Sequence, residues 1–182
     1  MSKTKEIVAI FAAAVILSIL FVACKTTPAA NPETGGMDEV EASVYSEIKD
    51  YMISDGVSES LFNGGVIPGY EIFRGDKSDA GFDAMAASIM VDAGVIEDML
   101  VMRSMIIVNA DCVIVLRVND VENAMAGLKL YHETQLKQWE SYLPDQYKKT
   151  QETVIESAGD HVYYVTSGIR QDILRAIQEE LK

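Results

Sequence analysis

Apolar residues recur with a helical period in three segments of the chain. In residues 38–54 they stand three and four positions apart with acidic residues between them, which predicts an amphipathic helix. The same period continues through residues 120–143, where Asn119 or Asp120 can cap a long helix and Pro144 marks its end. Ile169, Ile173, Ile177 and Leu181 form the apolar ridge of a final helix.

Two pairs of runs rich in β-branched and aromatic residues predict two antiparallel hairpins. The runs are residues 99–108 with 112–118, and residues 153–157 with 161–166. Short polar or glycine-containing segments at 109–111 and 158–160 are suited to the reversals. The first run does not alternate cleanly, so we expect both faces of the sheet to be largely covered. An alternative interpretation continues a helix from Val95 through Met102.

Residues 55–94 give the weakest pattern. The glycine-rich segment 55–81 predicts an irregular connection with a short strand around residues 70–73, and residues 82–93 predict a short helix stopped by Gly94. The whole order is two helices followed by two units of strand, strand and helix. We therefore predict an α+β fold, with an antiparallel sheet built from two β-hairpins, each followed by a helix, and extra N-terminal helices.

The amino terminus has the pattern of an export signal. Lys3 and Lys5 precede an apolar segment, residues 7–23, and Cys24 follows directly after the small residue Ala23. This resembles a bacterial lipoprotein signal, which implies cleavage before Cys24 and lipid on its thiol. The predicted organisation is a signal peptide at 1–23, a flexible tether at 24–37 and a single α+β domain at 38–182. An uncleaved membrane anchor and a plain secretory signal remain alternatives, and both would also export the domain.

The charge of the chain limits its partners. It has 28 Asp and Glu against 15 Lys and Arg, a formal net charge of −13. Because binding to nucleic acid depends on basic residues that neutralise phosphates, we expect no nucleic-acid partner. The predicted partners are the membrane, through lipid on Cys24, and an unknown envelope protein or ligand. The acidic excess keeps a tethered domain soluble, unless the carboxylates cluster on one face for a basic partner or a cation.

No spacing in the sequence predicts a reaction centre. The only histidines, His132 and His161, have no second His or Cys at metal-ligand spacing, so we predict no metal, no cofactor and no catalytic residue. The neighbours Asp160 and His161 should point in different directions and form no dyad. Cys112 lies in an apolar run and is interpreted as a small buried hydrophobic residue.

Three aromatic residues, Tyr131, Trp139 and Tyr142, follow a helical spacing. We interpret them as a wedge between helix and sheet, with a sugar- or peptide-binding platform as the alternative. The motif Trp139-x-x-Tyr142-Leu-Pro-x-Gln146-Tyr147, with the following strand and last helix, resembles a family of short lipoproteins with domain of unknown function 4358, over residues 99–181. The resemblance implies a lipoprotein signal but no reaction, ligand or catalytic residue.

The expected function is that of a lipid-anchored protein of the cell membrane, facing outside the cytoplasm, that serves binding or assembly at the cell envelope. One alternative is an envelope enzyme whose site is assembled only in space, with Asp160, His161 and His132 as participants. Another is a receptor for a small ligand.

Overall fold

The computed structural model describes residues 36–182. The predicted signal peptide, Cys24 and nearly all of the tether lie outside these residues. The helices are α1 Met37–Ser54, α2 Phe82–Ser88, α3 Val121–Glu140, α4 Pro144–Gln151 and α5 Arg170–Glu180. The strands are β1 Tyr70–Asp76, β2 Ile96–Ser104, β3 Cys112–Val118, β4 Val154–Ala158 and β5 His161–Thr166, and a 3-10 segment spans Glu59–Gly65.

The strands form one five-stranded sheet in the order β1-β2-β3-β5-β4, with every neighbouring pair antiparallel. The two predicted hairpins, β2–β3 and β4–β5, are present, and helices follow each of them. The predicted α+β class is confirmed. The short strand expected at 70–73 is the longer β1, which pairs with β2 from Tyr70 opposite Ser104 to Asp76 opposite Asp98.

Helices cover both faces of the sheet. On one face, α2 and α3 share an apolar core with β3 residues such as Ile114 and Leu116. On the other face, α1 and α5 share a second core with Val113 and Val115. Because successive strand residues point to opposite faces, β3 needs apolar residues at nearly every position. The prediction that both faces are covered is confirmed.

The long helix α3 begins where the sequence indicates. The Asp120 side chain accepts a hydrogen bond from the Asn123 amide at 3.0 Å, which satisfies one of the free donors of the first turn. The helix ends at Glu140, and Pro144 begins the separate helix α4. Proline suits the first position of a helix because the amide it lacks would have no partner there.

Two further predicted elements have wrong boundaries. Helix α2 ends at Ser88 rather than at 93, because the chain turns at Met90, whose φ is +60°. Strand β2 covers residues 96–104 rather than 99–108, so residues 105–111 are a loop instead of a strand end with a tight reversal. The alternative helix from Val95 through Met102 is also wrong, since these residues pair with both β1 and β3.

Between residues 36 and 182, no helix combines the length and apolar character that crossing a bilayer requires.

Candidate functional site

The β2–β3 loop displays four consecutive apolar side chains to solvent. Met105, Ile106, Ile107 and Val108 are 69%, 47%, 79% and 48% exposed. Large apolar side chains that stand together on a surface are typical of interaction sites, whereas single exposed ones are common everywhere. The sequence prediction placed these residues in a covered strand and therefore missed the feature.

The backbone of this loop is fixed to the rest of the domain. The Met105 amide donates to the Gly69 carbonyl at 2.8 Å, and the Asn109 amide donates to the Ile106 carbonyl at 2.9 Å. The Ile106 amide donates to the Ser104 hydroxyl at 3.1 Å. These hydrogen bonds fix the backbone that carries the apolar side chains, although the side chains themselves have few packing partners.

A shielded polar cluster supports the far end of the loop. The Asp111 carboxylate accepts from the Tyr70 hydroxyl at 2.9 Å and from the Lys149 ammonium at 2.7 Å, and Lys149 also donates to the Asn109 amide oxygen at 2.9 Å. The Asp111 and Lys149 side chains are only 12% and 20% exposed. Burial, and then the Asp111 carboxylate, raises the pKa of Tyr70, which therefore remains a protonated donor.

Two residues of the Trp-x-x-Tyr-Leu-Pro-x-Gln-Tyr motif also reach this loop. The Gln146 side-chain oxygen accepts a hydrogen bond from the Ala110 amide at 2.9 Å. The Trp139 ring is buried and lines a cleft beside the loop. The motif therefore positions the loop from α3 and α4.

The predicted aromatic wedge is only partly correct. Tyr131 and Trp139 are buried, and the Tyr131 ring meets the Tyr164 ring edge to face at 5.4 Å. Tyr142 is 54% exposed, with its ring centre 5.9 Å from that of Trp139. It escapes burial because α3 ends at Glu140, so the helical spacing no longer applies at residue 142.

A cleft lies on each side of the loop. One, of about 300 Å³, is formed with the C-terminal half of α3 and is lined by Tyr131, Gln135 and Trp139 among others. The other, of about 340 Å³, is formed with the end of α1, where Tyr51 contributes, and with α4, where Lys149 contributes. We define the docking surface as residues 105–108 together with Tyr51 and Tyr142.

The predicted absence of an Asp160–His161 pair is wrong. The His161 Nδ1 atom lies 2.8 Å from an Asp160 carboxylate oxygen. Asp160 belongs to the turn between β4 and β5, so strand alternation does not separate the two side chains. The His161 Nε2 atom is buried and has no polar partner among the described residues, and burial lowers the pKa of the ring. A neutral ring whose second nitrogen is closed off presents no base to a substrate.

The other candidate groups are also enclosed or isolated. The Cys112 thiol is buried 3.8 Å from the Tyr131 hydroxyl, and burial raises its pKa to about 12, which confirms a small buried hydrophobic residue. The His132 ring lies on α3, with its centre 6.0 Å from that of Tyr164. Within residues 36–182 no group of three or more His, Cys, Asp or Glu side chains is arranged to hold a metal ion.

The antiparallel sheet with helices on both faces defines the protein as an α+β domain. A model of the family described as Domain of unknown function (DUF4358) matches residues 83–167. This stretch runs from α2 through β5 and contains the loop and the aromatic motif, so the match supports the domain family that the motif indicates. Searches of curated proteins and of solved structures gave no match.

Proposed function

We propose that the protein is a lipid-anchored binding or assembly module of the cell envelope, attached to the membrane through Cys24 and facing outside the cytoplasm. The observation that carries the binding role is the exposed apolar loop 105–108, held by backbone hydrogen bonds and a shielded ion pair. The anchoring role is supported by the basic, apolar and cysteine pattern of residues 1–24.

The fixed backbone of the loop supports a binding role, because a fixed surface loses little conformational freedom when a partner covers it. An enzymatic function has less support. The Asp160–His161 pair has its free nitrogen buried, and the Cys112 thiol is protonated and enclosed. The large net negative charge supports a domain whose body remains soluble while it is tethered to a membrane.

The anchor is tested by growing cells that express the full chain with labelled palmitate. The wild type should incorporate the label, and Cys24→Ala should not, because the acceptor thiol is gone. Cys112→Ala is the matched control: it removes the other cysteine, which is buried, and should be labelled like the wild type. Equal labelling of Cys24→Ala and the wild type would remove the anchor from the proposal.

A further inference from the structure

We propose that the docking surface inserts its apolar loop into the lipid surface that carries the Cys24 anchor, giving the domain a second hold on the membrane. This inference rests on the proposed function, and it identifies the partner of the docking surface as lipid.

The chemistry of the loop suits a water-poor environment. Residues 104–110 carry no charged side chain, and the charged residues that flank them are paired, Arg103 with Glu71 at 2.6 Å and Asp111 with Lys149 at 2.7 Å. The amides of Met105, Ile106, Asn109, Ala110 and Asp111 all donate to groups of the domain itself. The amides of Ile107 and Val108 make no such hydrogen bond within the described residues. Because a backbone donor without a partner is costly in lipid, these two amides limit the loop to a shallow insertion, in which headgroups and water can accept from them.

One exposed tyrosine lines a cleft beside the loop, and another packs against a residue that lines the second cleft. Tyr51 is 45% exposed and lines one cleft with Ile106 and Val108. Tyr142 is 54% exposed and packs against Trp139, which lines the other cleft. Tyrosine is enriched at the boundary between lipid and water, where its ring and its hydroxyl each meet a suitable environment. The arrangement fits a shallow insertion, with the apolar loop deepest and the tyrosines at headgroup level.

The chain is long enough to bring the loop to the anchored surface. Helix α1 begins at Met37, and its last turn lies beside the loop, because Tyr51 and Met52 line a cleft with Val108. Eighteen residues of helix separate the two ends of α1 by about 27 Å. Residues 25–36, fully extended, could span about 40 Å. An anchor at Cys24 and an inserted loop are therefore compatible within one molecule.

The charge of the protein predicts which lipids favour insertion. A net charge of −13 repels anionic headgroups, so the attraction must come from the apolar side chains. Insertion should be stronger into phosphatidylcholine vesicles than into phosphatidylglycerol vesicles at low salt, and added salt should reduce the difference. A surface that bound lipid through basic residues would show the opposite preference.

The test places a fluorescent probe on the loop of the full, lipidated protein in phosphatidylcholine vesicles. Ile107→Cys carries a nitrobenzoxadiazole label, and Leu130→Cys, an exposed position on α3 outside both clefts, carries the same label as the control. Cys112 is buried and should remain unlabelled in the folded protein. Lipids with a spin label on the acyl chain should quench the Ile107 probe roughly threefold more than the Leu130 probe, and aqueous iodide should show the reverse order.

Two results would overturn the inference. If iodide quenches both probes equally and the spin-labelled lipid affects neither, the loop stays in water. If the Ile107 probe is shielded from both quenchers, a second copy or another protein covers the loop. Palmitate is measured on the same preparation. If palmitate is present and the probe is exposed to water, insertion is refuted and the anchor stands. If palmitate is absent, the anchor is refuted, and the quenching still decides whether the loop inserts.

Discussion

At the base of the β2–β3 loop, the Lys149 ammonium is shared between the Asp111 carboxylate and the Asn109 side chain. Both members of the ion pair are largely shielded from water. Removing one partner of such a pair costs more than the pair contributes, because the remaining charge stays in a poorly solvated position.

We therefore expect Lys149→Met to lower the free energy of unfolding by about 3 kcal/mol, since Asp111 would keep only its neutral hydrogen-bond donors. Urea denaturation followed by circular dichroism measures the change. Lys148→Met, at the exposed neighbouring position on α4, should alter stability by less than about 0.5 kcal/mol. Similar losses in the two variants would show that the ion pair does not support the loop.

His161 should make stability depend on pH. Burial, opposed by the Asp160 carboxylate, lowers the pKa of this ring in the folded protein below its ordinary value of about 6.5. The unfolded chain then binds more protons in mildly acidic solution, so the free energy of unfolding should fall as the pH drops below that value.

Urea denaturation at a series of pH values between about 7 and 5.5 would show this fall in the wild type, and His161→Gln should flatten it. His132, whose pKa burial also lowers, acts in the same window, so the variant lacking both rings should be flattest. If the free energy of unfolding depends on pH in both variants as it does in the wild type, the two histidines do not cause the fall.

At the scale of elements, the packing of α3 against the turn after α2 depends on a glycine. A Cβ atom at position 127 would overlap the carbonyl oxygen of Met90 and lie 3.0 Å from the Cα atom of Val91. Backbone atoms cannot yield as a flexible side chain can, so the helix would have to move away from the turn.

Gly127→Ala should destabilise the protein by about 2 kcal/mol, although alanine is the better helix former by about 1 kcal/mol. Thermal denaturation measures the effect. Gly168→Ala is the control, because an added methyl group there meets no atom within 4 Å and the backbone does not have a positive φ. A stabilised Gly127→Ala variant would mean that the turn adapts to the added methyl group.

The elements that the sequence predicts well are those with a distinct local signal. Strand β3 has the predicted bounds, and α3 begins after the predicted cap Asp120.

Helix α4 was not predicted, because Pro144 was interpreted only as the end of the preceding helix. Strand β2 was misplaced because apolar content does not separate a strand from an apolar loop. The seven residues of β3 leave residues 105–108 without strand partners, and this length difference was the available signal.

The docking surface and the polar cluster that supports its loop were harder to predict because their residues are distant in sequence. Asp111 and Lys149 are separated by 38 positions, and Tyr70 lies 41 positions before Asp111. No spacing rule links such residues before the sheet and α4 bring them together. The exposure of residues 105–108 also contradicts the general tendency of apolar runs to be buried, and local conflicts of this kind are expected at functional surfaces.

For the molecule as a whole, the sheet depends on helices from both ends of the described chain. Helices α1 and α5 contact each other and cover the face formed by Leu100, Val113 and Val165 with their neighbours. Helices α2 and α3 cover the opposite face. Along the chain, the helices of one layer therefore enclose those of the other: α1 and α5 stand at the two ends, and α2 and α3 lie between them.

This order has a practical consequence for the stretch that matches the family model. Residues 83–167 include α3, α4 and four of the five strands but omit α1, β1 and α5. A fragment cut at those limits would expose one apolar face of its sheet and the unpaired edge of β2, and both features promote aggregation. The unit that can fold by itself must extend on both sides of the recognised stretch.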